Sequence, residues 1–214
     1  MILYDYPRSS AAYRVRIALN VKAIAYETRT IALLDNEQQS ATYKTLNPQG
    51  LVPLLVTDEH HTINQSLSIC EYLDEAFPNP PLLPEDISGR ARVRSLSQMI
   101  VCDIHPLNNL RVLNFLKYEK RDNDKQQQSQ QQSQQQWYSR WIHEGFSAFE
   151  THLQSPLSGD FCHGDNITLA DICLVPQVYN ARRFSVDLSP FPEIVRIANQ
   201  CAKIEPFARA NPDT

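Results

Sequence analysis

The sequence has no apolar run long enough to cross a bilayer as a helix. It has no basic excess either. Its 20 Lys and Arg stand against 24 Asp and Glu, a net charge of −4, so no global field is present to hold nucleic acid. No CxxC and no Cys/His group has the spacing of a zinc site, and no metal is expected. The 5 cysteines (Cys70, Cys102, Cys162, Cys173 and Cys201) are odd in number and widely spread. That fits free buried thiols in a reducing compartment rather than a disulfide framework. The opening MILYDYPRSS lacks a basic stretch leading into a long apolar one, so no signal peptide is expected and a cytoplasmic location is.

What is present suits one large domain or two small ones, with 214 residues and 42% hydrophobic content. Residues 1–6 read as a short strand. Ala11, Val15, Ala18 and Leu19 then fall on one helical face. Residues 25–31 suggest a second strand, and 51–57 and 61–64 frame Asp58-Glu59-His60 as a hairpin turn. Ile69, Cys70, Leu73, Ala76 and Phe77 mark another helix, with Ser66 as its cap. The order β-α-β, then β-β-α, predicts a small mixed sheet covered by helices.

The stretch FPNPPLLPE at 77–85 is dense in proline and can continue neither a helix nor a central strand. It places a linker at 81–87, between a first domain over 1–80 and an all-helical domain over 88–214. In the second domain, 90–120 is periodic with an interruption at Pro106. Ile142, Phe146, Phe149 and Leu153 share one face of a helix over 137–153, and 192–203 reads as a further helix. Residues 169–178 are apolar nearly all round, as for a helix at the centre of a bundle. The low-complexity KQQQSQQQSQQQ at 125–136 has nothing apolar to bury. It reads as a solvated extension or mobile loop, or as a helical extension, and no function is assigned to it.

Three short stretches carry chemistry. In SSAAYRVRIAL, Ser9 to Leu19, Ser9 and Ser10 stand where a new helix has unpartnered N–H groups and the positive end of its dipole. They either cap the helix or donate to an anion, and a thiolate held there would have its pKa lowered. In NPQGLVPLL, Pro53 just before an apolar strand implies either an edge strand or a cis Val52–Pro53 bond. A cis bond would free the Val52 backbone to pair with an extended peptide. In NQSLSICEYL, Gln65 and Ser66 begin a helix and either cap it or receive a carboxylate. Together the three describe a receptacle for an extended thiol peptide.

On these motifs the chain resembles the glutathione transferase superfamily, and within it the zeta class. The resemblance continues through DIHPLNNLRVLNFL, ITLADICLVPQVYNARRF and PFARANPD, nearly the whole chain outside the glutamine insert. It implies a thioredoxin-like N-terminal domain, a helical C-terminal domain and glutathione as the cofactor. By motif, Ser9 would donate to the glutathione sulfur, with Ser10 and the Ala11 N–H beside it. Val52, ahead of Pro53, would pair with the cysteinyl backbone. Gln65 and Ser66 would hold the γ-glutamyl end, and Gln38 the glycyl end. His105, Asn109 and Arg111 would contact glutathione or substrate. Arg183 and Arg8 are candidates for the substrate carboxylates, while Arg14 reads as structural, Arg182 as compensating a helix dipole, and Thr168 and Asp171 as a capping box.

The implied reaction is a glutathione-dependent cis–trans isomerisation of maleylacetoacetate in tyrosine or related catabolism, by thiolate addition, rotation and elimination. Alternatives are maleylpyruvate isomerisation, glutathione transfer to electrophiles such as haloacids, or a non-catalytic role. A homodimer is implied; neither nucleic acid nor membrane is an expected partner. Where the class fingerprint has a cysteine and a tryptophan, this chain has Ala11 and Tyr13. Disulfide chemistry of the thioredoxin kind is therefore not expected.

Overall fold

The computed structural model describes residues 1–119 and 127–214. The chain divides into two compact units, residues 1–83 with 202–214, and residues 84–201. The first unit opens with β1 (Ile2–Asp5), α1 (Ser10–Val21) and β2 (Glu27–Thr30). After the short helix α2 (Ala41–Leu46) come β3 (Leu54–Val56), β4 (Thr62–Asn64) and α3 (Ser66–Ala76). The sheet order is β2-β1-β3-β4. β1 and β2 run parallel, and β3 is antiparallel to both its neighbours. This is the β-α-β, β-β-α arrangement expected from the sequence. The apolar face of α1 explains its position: Val15, Ala18 and Leu19 are buried as expected, with Ala12 in place of the half-buried Ala11, together with Leu3 and Leu55 of the sheet and Ile69 and Leu73 of α3.

The end of the chain departs from the sequence reading. Residues 202–214 were expected in the helical domain, but α9 (Glu205–Ala210) belongs to the first unit. It docks on α1: Asn20 Nδ2 donates to the Pro206 carbonyl at 3.0 Å, and Arg209 Nη2 donates to Asn20 Oδ1 at 2.9 Å. These partners are distant in sequence, so local periodicity carries no trace of them.

The second unit is helical among its described residues. It holds α4 (Ile87–Gln98), α5 (Leu110–Glu119), α6 (Gln127–Leu153), α7 (Leu169–Arg183) and α8 (Pro192–Ala202). The interruption expected near Pro106 is real. α4 runs on as a π-helical turn, Met99–Ile104, whose last bond runs from His105 N–H to Ile100 O at 2.9 Å. α6 packs against this turn at Gly145, where a Cβ would lie 2.3 Å from the Ile104 side chain. Lys125 and Gln126 lie outside the described residues, but from Gln127 the glutamine tract is helix. Its last residues bind the unit: Gln134 Nε2 donates to Leu113 O at 2.8 Å, and Gln135 Nε2 donates to Phe184 O. Among the described residues no helix is long and apolar enough to cross a membrane.

α7 is buried along most of its length and starts at the expected capping box. Asp171 Oδ2 accepts from Thr168 N–H and Oγ1, both at 2.8 Å, and Oδ1 accepts from Cys162 N–H at 2.8 Å. Asp171→Ala would leave these donors buried and unpaired. Each such group costs about 1–3 kcal/mol, so we expect a loss on the order of 3 kcal/mol. For a chain of this size that is a fall of roughly 6–12 °C in melting temperature, measurable by circular dichroism. Asp171→Asn, which keeps acceptor capacity, should lose less.

Candidate functional site

Strand register brings the N-terminal motifs together. Tyr4 of β1 pairs with Leu54 of β3, and Leu54 pairs with Asn64 of β4. In antiparallel pairs, residues leaving one strand lie beside those arriving at its neighbour. The chain leaving β1 toward Ser9, the Val52-Pro53 segment entering β3 and the Gln65-Ser66 segment leaving β4 therefore meet at one end of the sheet. α1 and α3 both begin there.

Ser9 is the N-cap of α1, and its Oγ accepts from Ala12 N–H at a long 3.3 Å. Its own O–H remains available to donate. Ser9 is half-buried, Ser10 is buried and Ala11 is half-buried at the same helix start, while Arg8 is exposed on the loop before it. The Val52–Pro53 bond is cis, which settles the alternative left open by the sequence. Neither the N–H nor the C=O of Val52 has a backbone partner among the described residues. The Tyr43 hydroxyl and the Asn47 amide anchor this loop by donating to Leu51 O at 2.7 and 2.8 Å.

At α3 the cap is not Ser66, as expected, but Gln65, in the left-handed region at φ 67 and with no side-chain capping bond. The first N–H groups of α3 thus have no side-chain cap, which suits an incoming carboxylate. Ser66 is the first helical residue, and its Oγ accepts from Arg14 Nη1 at 2.7 Å. Arg14 is only 1% exposed. Its guanidinium occupies an acceptor site of the Ser66 hydroxyl, adds positive charge beside the helix start, and leaves the hydroxyl proton for another acceptor. Gln65 Nε2 donates to Gln49 Oε1 at 3.0 Å. Gln38 lies in a short 3₁₀ turn, Glu37–Gln39, and its Oε1 is buried without a hydrogen-bond partner among the described residues.

The structural reading of Arg14 fits its burial and its bond to Ser66, and Gln49, to which no motif assigns a role, is the partner of Gln65. The signal for Arg14 was two arginines inside the apolar run YRVRIAL, since buried arginines are rare unless paired.

In the second unit, His105 and Asn109 flank the turn between the π-helical segment and α5, and Arg111 lies in the first turn of α5. Asn109 Oδ1 accepts from the Arg111 N–H at 3.1 Å, and Trp137 Nε1 donates to Leu107 O at 2.9 Å. Arg183 is exposed in the last turn of α7, with its guanidinium 5.1 Å from the centre of the Phe184 ring. Phe184 stacks on Tyr138 at 4.0 Å. Burial pushes the Tyr138 phenol above its usual range, opposed by the charge of Arg183. No carboxylate pairs with Arg183 among the described residues. Arg182 differs: its Nη2 donates to Asn199 Oδ1 at 2.8 Å, as a structural residue should.

Cys70, Cys162, Cys173 and Cys201 are buried as expected, and burial pushes the Cys162 thiol well above its usual pKa; Cys102 departs from that expectation and is exposed, on the π-helical turn. Among the described residues no group of His, Cys, Asp and Glu could hold a metal ion.

Comparison with known proteins agrees with the geometry. Residues 3–81 match the glutathione S-transferase N-terminal domain, and residues 110–205 the C-terminal domain. A probable maleylacetoacetate isomerase of Vibrio cholerae is 44% identical over 100% of this chain and 96% of its own length. A solved holo structure of maleylpyruvate isomerase, a bacterial zeta-class glutathione transferase, has a TM-score of 0.93 and 42% identity, covering 99% of this chain and 97% of that one. A maleylacetoacetate isomerase from Methylobacterium extorquens AM1, solved with malonate and glutathione bound, has a TM-score of 0.92 and 36% identity, covering 99% and 96%. By these matches, over nearly its whole length, the chain belongs to the glutathione transferase family, in its zeta class.

Proposed function

We propose that this protein is a glutathione-dependent cis–trans isomerase of maleylacetoacetate. The observation that carries this reading is the meeting, at one end of the sheet, of Ser9, the Val52 backbone without a backbone partner among the described residues, and the Arg14-backed Ser66 hydroxyl. These are the groups an extended thiol peptide with a carboxylate at one end requires. Bound glutathione supplies a nucleophilic thiolate, whose reversible addition lets a double bond turn.

The chain's own residues do the rest. Ser9 donates to the sulfur, aided by the α1 dipole, the Ala11 N–H and Ser10. Val52, fixed ahead of Pro53, pairs with the peptide backbone of the ligand. Gln65 and Ser66 hold its γ-glutamyl end and Gln38 its glycyl end. His105, Asn109 and Arg111 contact glutathione or the substrate. Arg183 and Arg8 anchor the carboxylates of the unsaturated substrate, Arg183 because its fork matches a carboxylate and, among the described residues, no carboxylate pairs with it.

The printed names of the relatives include both maleylacetoacetate and maleylpyruvate isomerases, so the smaller diacid is the second reading. Rates with each substrate, measured side by side at fixed glutathione, test the choice: we expect the higher kcat/KM with maleylacetoacetate, and a preference for maleylpyruvate would reverse it. A homodimer in the cytoplasm, serving the breakdown of tyrosine and phenylalanine, completes the proposal. It rests on the zeta-class resemblance and on the thiol-only use of cysteine.

A further inference from the structure

Ser9 must be held in place by something other than its own weak cap, and the candidate lies two turns further along α1. The guanidinium of Arg16 is 8% exposed at the residue level and has all three nitrogens engaged. Nη1 donates to both oxygens of Asp5, at 2.7 and 2.8 Å, and Asp5 is the last residue of β1. Nη2 donates to the Pro7 carbonyl at 2.8 Å, and Nε to the Ala210 carbonyl of α9 at 3.1 Å. The loop that carries Ser9 runs from Asp5 to the start of α1. One side chain therefore ties the strand stem, the middle of the loop and the helix stem together. Within the loop, Ser9 N–H also donates to Tyr6 O at 2.9 Å.

We infer that Arg16 is the positioning residue that sets the Ser9 hydroxyl against the glutathione sulfur, through the Pro7 carbonyl and Asp5. The inference rests on the proposed role of Ser9. The charged and titratable groups around the clamp include Asp5, Tyr13, Tyr26 and Arg209: the guanidinium of Arg16 lies over the Tyr13 ring at 5.2 Å, and the charges of Arg16, Asp5 and Arg209 all act on the Tyr26 phenol. Arg8 lies on the loop itself. A lysine at position 16 would keep the charge but lose the planar fork that serves the separate acceptors. The loop would then loosen and Ser9 would spend less time in donating geometry.

The test is the pKa of the bound glutathione thiol, followed by ultraviolet thiolate absorbance and normalised to sites that bind S-methylglutathione. That normalisation counts folded protein alone. Wild type should hold the bound thiol below the ordinary thiol value of about 8.5. Arg16→Lys should raise it by about one unit, which is roughly tenfold less thiolate at a fixed pH below both values. Its affinity for S-methylglutathione should stay nearly unchanged. Asp5→Asn loosens the same clamp from the strand side; it should shift the pKa in the same direction by less, and it serves if Arg16→Lys does not fold. A depressed pKa in wild type that both variants keep would overturn the role of Arg16 and leave Ser9 standing. No depression in wild type would overturn the Ser9 reading, and this inference with it.

Discussion

Ser9→Ala should lose about 10²–10³ in the rate of isomerisation, the usual effect of removing one donor from a developing or stabilised anion. The fold should survive. Among the described residues Ser9 Oγ contributes one bond to α1, the long one from Ala12 N–H, and losing an N-cap costs about 1 kcal/mol. The pH profile should also move upward. A donor to the thiolate lowers the thiol's pKa, so the variant needs a higher pH for the same thiolate fraction. Rate against pH, with glutathione saturating, reads both effects at once. An unchanged rate and an unchanged profile would remove Ser9 as the thiolate's partner.

Arg183→Ala should raise the substrate KM and lower kcat/KM by roughly ten- to a hundred-fold. This corresponds to a charge-assisted hydrogen bond of about 1.5–3 kcal/mol. The physical ground is its surroundings. The guanidinium lies over Phe184, which is itself stacked on Tyr138, and no carboxylate neutralises it among the described residues. A cation held by a ring face keeps its hydrogen-bond donors for a ligand. Arg183→Lys should fall between wild type and Ala. Glutathione affinity should hardly change, and transfer to an uncharged electrophile should be spared. Equal losses on charged and uncharged substrates would move the anchor to Arg8 or Arg111.

What could be read from the sequence was local. The α1 face, the β3–β4 hairpin and the Thr168–Asp171 box depend on residues a few positions apart, and the structure has each of them. What the sequence hid was long-range. Arg14 meets Ser66 across 52 positions and Arg16 meets Ala210 across 194. Both arginines look alike in YRVRIAL, and neither partner is implied by periodicity. Ser66 was mistaken for a cap because serine favours that place, yet its hydroxyl is drawn to a buried guanidinium and Gln65 takes the cap position. The glutamine tract offered no apolar pattern, but two of its amides bond to backbone carbonyls within α5 and at the end of α7.

The central claim is that this chain uses glutathione's sulfur to turn a double bond, having no thiol of its own at position 11. The most direct measurement is loss of maleylacetoacetate absorbance by the purified protein with and without glutathione, followed by product identification. Conversion to the trans isomer should require glutathione and leave its concentration unchanged, since the thiol is returned each cycle. Equal conversion without glutathione, or its consumption one for one with substrate, would contradict the account.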